Sequence, residues 1–247
     1  MTLTIVSCII YISTIKEFIM NKYKYQMHIH TSPCSACSRM TPKELCQALY
    51  ENGYQGTVLT NHFYHGNSGI DRSLSWNDFV SAYEKDYLEC LEEAKKYDLD
   101  ILFGIEEAVV PGLELLLYGL TPKMLYDNPQ LQNCTVEEFS KVLRKYGVVL
   151  IQAHPFREAF YIPNPGHLPI ELIDGIEVYN RGNATEEMNQ KAWALANMHP
   201  HLIKTSSADS HTTDTVNVGG IITSNRIRNS TDLVNTLRAN DFELILP

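Results

Sequence analysis

The chain has 247 residues, with 29 acidic against 20 basic side chains and a formal charge of −9 at neutral pH. That length suits one large α/β domain with a sizeable core, and the acidic balance argues against a partner such as long nucleic acid, whose phosphates need clustered lysine and arginine. Six cysteines, Cys8, Cys34, Cys37, Cys46, Cys90 and Cys134, are too few for a disulfide scaffold of this size and point to a reducing, cytoplasmic setting.

The segment TLTIVSCIIYISTI (2–15) is apolar but falls short of the roughly 20 residues that a membrane span requires. Its first charge, Lys16, follows the apolar run, the reverse of a signal peptide. Met20 begins MNKYKYQMHIH just before a strand, so residues 1–19 read as an extension outside the fold and residues 20–247 as a single domain with no membrane partner. Past residue 22, YQMHIHT reads as a strand, and TPKELCQALYENG as a helix with Thr41 at its N-cap, Pro42 at its first position and Gly53 at its end. TVLTNH is a second strand, the helical spacing of apolar residues predicts a helix over 77–97, and ILFGIEEAVV and LELLLYGL follow as strands. A helix from about Val136 to Tyr146, the strands VVLIQAH and GIEVYN, and a helix over 184–198 come next. The strands IKTSSADSH and GGIIT, a helix over 230–240 and ELIL complete the chain.

This alternation implies parallel strands with helical crossovers, in a barrel or an open sheet. The polar residues favour the barrel. His28 and His30, His62, Glu106, His154, and Asp209 with His211 all fall at or near the carboxyl ends of predicted strands, which in a barrel converge on one mouth. Strand alternation points His28 and His30 to the same side, and Asp209 and His211 repeat that i, i+2 geometry. Apolar strands that end abruptly in such groups need partners for them, since an unpaired polar group in a buried place is costly. Metal binding supplies those partners.

The ordered set MHIHTS, TVLTNH, FGIEE, IQAHP and SSADSH resembles the successive motifs of the PHP (polymerase and histidinol phosphatase) family over residues 24–223. The resemblance implies a distorted (β/α)7 barrel with two or three divalent ions at the C-terminal mouth and phosphoester hydrolysis as the activity. It places His28, His30, Glu106 and Asp209 around one ion, with Glu106 bridging to a second held partly by His154, and His62 and His211 at a third. Three positions depart from the family pattern. Asn61 stands where TDH is usual, Ser35, Ala36 and Cys37 occupy the loop that often brings an Asp or His, and Leu116 stands where many members have a further histidine.

Mixed imidazole and carboxylate ligands suit Zn²⁺, Mn²⁺ or Fe²⁺ better than Mg²⁺ or Ca²⁺. Two such ions roughly 3.5–4 Å apart activate water and neutralise a phosphoryl group without a separate nucleophile. A dianionic ester also wants a cationic clamp. Arg157 in HPFRE, three residues beyond His154, is the first candidate and Arg181 in YNRGN the second. Cys37 or Cys34 is close enough in sequence to replace the missing loop acid, and thiolate is a good zinc ligand. His65 reads as a solvent-facing loop residue, and His167, His199 and His201 as exposed. The expected substrate is a small phosphomonoester or short nucleotide, because PFREAFYIPNPGHLP after His154 suggests a walled pocket. Two alternatives remain: a catalytically silent metal-binding domain with a structural or regulatory role, and a metal-dependent hydrolase of a non-phosphorus substrate.

Overall fold

The computed structural model describes residues 22–247, so the extension expected at 1–19 lies outside the described residues. From the amino end run β1 (Tyr23–Gln26), α1 (Pro42–Glu51), β2 (Gly56–Leu59), α2 (Trp76–Ala94), β3 (Asp100–Phe103), β4 (Ile105–Val110) and β5 (Leu113–Tyr118). Then come α3 (Pro122–Tyr126), α4 (Val136–Lys145), β6 (Val149–Gln152), β7 (Gly175–Asn180), α5 (Glu186–Met198), β8 (Ile203–Ser207), β9 (Ile221–Thr223), α6 (Ser230–Ala239) and β10 (Glu243–Leu244). The helix starts follow local chemistry. Thr41 and Glu44 form a reciprocal capping box on α1 with Pro42 in its first turn, and Thr135 and Glu138 do the same for α4.

The strands form two mixed sheets of five, ordered β10–β9–β1–β2–β3 and β4–β5–β6–β7–β8. In the first, β1, β2 and β3 are parallel while β9 and β10 run against their neighbours. In the second, β5 is antiparallel to both β4 and β6, and β6, β7 and β8 are parallel. These ladders correct the expectation of a closed (β/α)7 barrel of parallel strands. The reason is local: β4 ends at Val110 and β5 begins at Leu113, which leaves no room for the helical crossover that a parallel neighbour needs. Gly112 takes the left-handed φ of 81° in that turn. Isolated bridges join the sheets, one between Ile29 and Ser210 just beyond β1 and β8, the other between His62, just beyond β2, and Glu106 in β4.

A shared core holds the sheets together. Tyr25, Met27, Val58 and Leu102 from the first pack in one cluster with Leu116, Tyr118, Val149 and Ile151 from the second, and the Tyr118 hydroxyl donates to the Met27 carbonyl at 2.7 Å. On the outer side, Phe63 meets Trp76, Phe79 and Tyr83 edge to face, which fixes α2 against the strands. Tyr83 Oη then donates to the Asn61 carbonyl at 2.7 Å, tying the helix to the segment that carries His62. Among the described residues, no helix is long and apolar enough to cross a membrane.

Candidate metal centre

The histidines and acids expected at strand ends lie side by side. His28 Nε2 is 3.0 Å from His30 Nε2, 3.1 Å from Glu106 Oε1 and 3.4 Å from Asp209 Oδ1. His154 Nε2 lies 3.1 Å from the same Glu106 oxygen, and His62 Nδ1 lies 2.7 Å from Glu106 Oε2. Among the described residues, four overlapping groups bring one donor atom per residue within 4.8 Å of one another: His28, His30 and Asp209; His28, Glu106 and His154; His62, Glu106 and Glu114; and His30, His62 and His211. Two of these residues are held in the left-handed backbone region, His154 at φ 29° and Asp209 at φ 53°. Non-glycine residues adopt that region at a cost, which the surrounding structure offsets at functional sites.

Buried polar side chains behind the histidines set their orientation. Glu177 Oε1 lies 3.1 Å from His28 Nδ1, and its other oxygen accepts from the His154 amide at 2.8 Å. With Nδ1–H committed to a carboxylate, His28 presents its Nε2 lone pair to the cluster. His30 is set by a longer chain. Asn61 Nδ2 donates to Asp86 at 2.8 Å, Asn61 Oδ1 accepts from Ser35 Oγ at 2.9 Å, and Ser35 Oγ therefore accepts from His30 Nδ1 at 3.0 Å. Asn61, which departs from the family's usual acid, thus stands against an acid brought by α2, where a second carboxylate would face Asp86.

The charges oppose one another inside this buried site. Burial disfavours protonated His28, but Asp209, Glu106 and Glu177 outweigh it and raise its pKa well above the usual value. Burial, reinforced by His211 and His62, holds His30 well below it. Glu106 and Asp209 are lowered well below ordinary carboxylates against the cost of burial, Glu106 by His28 and His62 and Asp209 by His28 and Arg157. Glu114 is raised by burial and by the neighbouring Glu106 charge. The donor set fits divalent cations, as the contact between His62 Nδ1 and Glu106 Oε2 shows: it is short yet lacks hydrogen-bond geometry, leaving both buried atoms without a hydrogen-bond partner. A cation between such atoms satisfies both.

The cluster opens into a cavity of about 470 Å³. Arg157 reaches it, donating from Nη2 to Asp209 and Asn180 at 2.8 Å each and from Nε to Asn183 at 3.1 Å. Arg181 does not line it and is exposed. The two cysteines also separate. Cys34 packs in the apolar core, where burial pushes its thiol up. Cys37 lines the cavity; burial alone would raise its thiol, but hydrogen bonding with His211 and His62 lowers it to about 6. His65, read from sequence as a loop residue facing solvent, is exposed and also lines the cavity.

Glu114, Glu177 and Asp86 were absent from the sequence-derived set. Glu114 is the instructive one. Because β5 runs antiparallel, its first residues lie at the mouth, so Glu114 enters the site while Leu116, on the same face, sinks into the core. The signal was an acidic residue at the start of the apolar strand LELLLYGL.

No family model and no curated protein matches the sequence. Solved structures do. A two-domain protein of Bacteroides vulgatus, described as containing a PHP-like metal-dependent phosphoesterase, superposes with a TM-score of 0.64 at 16% identity, over 92% of this chain and 65% of that one. The fold is a PHP-like one. A metal-dependent phosphoesterase by description from Bifidobacterium adolescentis matches at TM-score 0.52 and 15% identity, over 77% of this chain and 88% of that one. The lesion-specific endonuclease EndoQ of Pyrococcus furiosus matches at TM-score 0.58 and 12% identity, over 91% and 58%. The chain spans less than two thirds of the length of the first and third of these proteins.

Proposed function

We propose that this PHP-like chain is a metal-dependent phosphoesterase that hydrolyses a small phosphomonoester or short nucleotide. The supporting observation is the convergence of four overlapping donor groups on one cavity that Arg157 also lines. Two or three divalent ions, zinc, manganese or iron, would be held by His28, His30, His62, Glu106, Glu114, His154, Asp209 and His211. When bound, they supply Lewis-acid activation of water and neutralise phosphoryl charge. The chain's own residues do the rest. Glu177 and Ser35 hold His28 and His30 with their Nε2 lone pairs inward. Arg157 has Nε and Nη2 engaged by Asn183, Asn180 and Asp209, which fixes the guanidinium plane and leaves Nη1 to donate to a phosphoryl oxygen. Cys37 stands in for the missing loop acid beside His62 and His211. The free thiols Cys34, Cys37, Cys46, Cys90 and Cys134 accord with a reducing, cytoplasmic setting.

A phosphate-release screen with Mn²⁺, Zn²⁺ or Fe²⁺, across sugar phosphates, amino-alcohol phosphates, phosphotyrosine and nucleotides, tests the reading. Turnover that vanishes on chelation is expected. No release from any class would return the chain to the silent metal-binding alternative. Arg157→Ala should raise KM or lower kcat with metal content retained, and unchanged kinetics would remove Arg157 from the clamp. Metal analysis of Cys37→Ser reads the thiolate directly.

A further inference from the structure

His65 and Glu107 form a pair that the metal centre does not use. Glu106 and Glu107 are neighbours on β4, so their side chains leave opposite faces of the strand, and the segment after β2 meets both: His62 lies beside Glu106 and His65 beside Glu107. Glu107 is 1% exposed, and among the described residues its oxygens accept only from His65, at the backbone amide and at Nδ1. Arg72 clasps the backbone on either side of the histidine, donating from Nε to the Tyr64 carbonyl at 2.5 Å and from Nη2 to the Gly66 carbonyl. The imidazole is thereby held in place while nearly half exposed, on the wall of the cavity into which the metal-site donors and Arg157 open.

A glutamine at 107 would accept the same N–H groups at a smaller desolvation cost, so what the carboxylate adds is support for a charged ring. Burial pushes Glu107 toward its neutral form and His65 pulls it back; with both oxygens accepting from N–H groups, the carboxylate is the form that fits. On the ring, the hydrogen bond to Glu107 leads. With the facing Gln132 carbonyl it raises the histidine above its usual value, while partial burial and the Arg72 charge oppose the rise. Among the proton-bearing side chains that line the metal-site cavity, His65 is also the one suited to give a proton away. The other histidines there and Cys37 are donors to metal in the reading above, Arg157 keeps its proton, and the hydroxyl of Tyr161 is a far weaker acid than an imidazolium.

We propose that His65 is the general acid of the reaction, giving its Nε2 proton to the oxygen of the leaving alcohol, with Glu107 as its positioning residue. The inference rests on the phosphoesterase reading. As water adds to phosphorus and the P–O ester bond breaks, the electron pair passes to the departing oxygen, which takes the proton from Nε2. Alcohol and inorganic phosphate are released, and the neutral ring recovers a proton from solvent. Nδ1–H stays with Glu107 throughout and fixes the tautomer.

The test compares ethyl phosphate, whose alkoxide needs a proton to leave, with 4-nitrophenyl phosphate, whose phenolate leaves without one, on the metal-loaded protein. His65→Ala should lower kcat for ethyl phosphate by about 100-fold and for the nitrophenyl ester by less than about tenfold, with metal content retained. Equal losses on the two esters, or no loss on either, would overturn the acid while leaving the phosphoesterase reading intact. Wild-type protein that turns over neither ester would sink that reading and the acid with it. An activity-free measurement stands beside the kinetics. Glu107→Gln keeps the hydrogen bonds but not the charge, and should move the titration of the His65 ring, followed by NMR, to lower pH. An unshifted titration would remove Glu107 from its role, and a ring already neutral at pH 7 in the wild type would overturn the acid whatever the activity.

Discussion

Two charged clusters sit at opposite ends of the first sheet, and they are built in opposite ways. At the start of β3, Arg226 donates to Asp100 from Nε at 2.7 Å and to Asp98 from Nη1 at 2.8 Å and Nη2 at 2.9 Å. Tyr25 adds a further bond to Asp100 at 3.1 Å. Donors there meet acceptors in good geometry. At the mouth, imidazoles and carboxylates crowd within 2.7–3.4 Å of one another, and His62 Nδ1 and Glu106 Oε2 are left without a hydrogen bond. Charge density is similar in kind at both ends, but only one end is satisfied by protein atoms alone. A buried cluster whose lone pairs converge has the donor arrangement that could hold a cation.

The sharpest way to break this contrast is to remove a converging donor. Asp209→Ala or His28→Ala should cost more in activity than the roughly 100-fold that loss of an outer supporting partner costs, with the fold retained by circular dichroism. Near wild-type turnover and metal content in Asp209→Ala would make the mouth no more than a second structural ion-pair cluster.

A pH experiment probes the next layer. Burial pushes Asp86 up to about 6, against the hydrogen bonds from Thr31 and Asn61, and its Oδ1 has no partner. Because the folded value lies above the ordinary carboxylate value, the folded state retains a proton that the unfolded chain has lost. The protonated form therefore favours folding at low pH, and that contribution disappears as pH rises through about 6. Asp86→Asn should be more stable than wild type at pH 7 by on the order of 2–3 kcal/mol, with the gap closing toward pH 4. Urea denaturation at several pH values measures it, and a gap independent of pH would show that folding leaves the Asp86 pKa unshifted.

Smaller effects separate the supports. Ser35→Ala removes the acceptor that orients His30 and should weaken metal affinity by about 10- to 100-fold; unchanged affinity by metal titration would mean that the Asp86–Asn61–Ser35 chain does not act on His30. Arg226→Ala should do the reverse, costing about 1–2 kcal/mol for the half-buried Asp100 carboxylate deprived of its main donor. Metal content and turnover should not follow.

Much of this site was readable because its ligands end parallel strands. His28, His30, His62, His154, Asp209 and His211 follow apolar runs whose direction the β–helix–β alternation reveals, and the structure brings all six together. The residues that escaped do so for definite reasons. Glu114 begins a strand, and only the tight turn at 111–112 reveals that the strand runs backward. Asp86 is one of many acids in α2, and the one signal that marks it is its place on the buried face, three residues after Tyr83 and four before Cys90. Glu177 lies inside β7, where a charged residue reads as a surface position until both faces of the strand prove buried. The antiparallel β4–β5 pair follows from the same short turn, whereas β9 and β10 make the first sheet mixed.

That turn carries a further consequence. Glu106 and Glu114 belong to one hairpin, whose register already shifts between Ala108 and Val110 before the chain reverses at Gly112. Side chains alternate between faces residue by residue, so adding or deleting one residue between 110 and 113 would rotate the second strand by half a period. Leu115 would then face the histidines and Glu114 the apolar layer behind. The length of a two-residue connection that touches no ligand therefore decides whether Glu106 and Asp209 are joined by a third carboxylate, and lineages that alter this loop are expected to change it by whole pairs of residues.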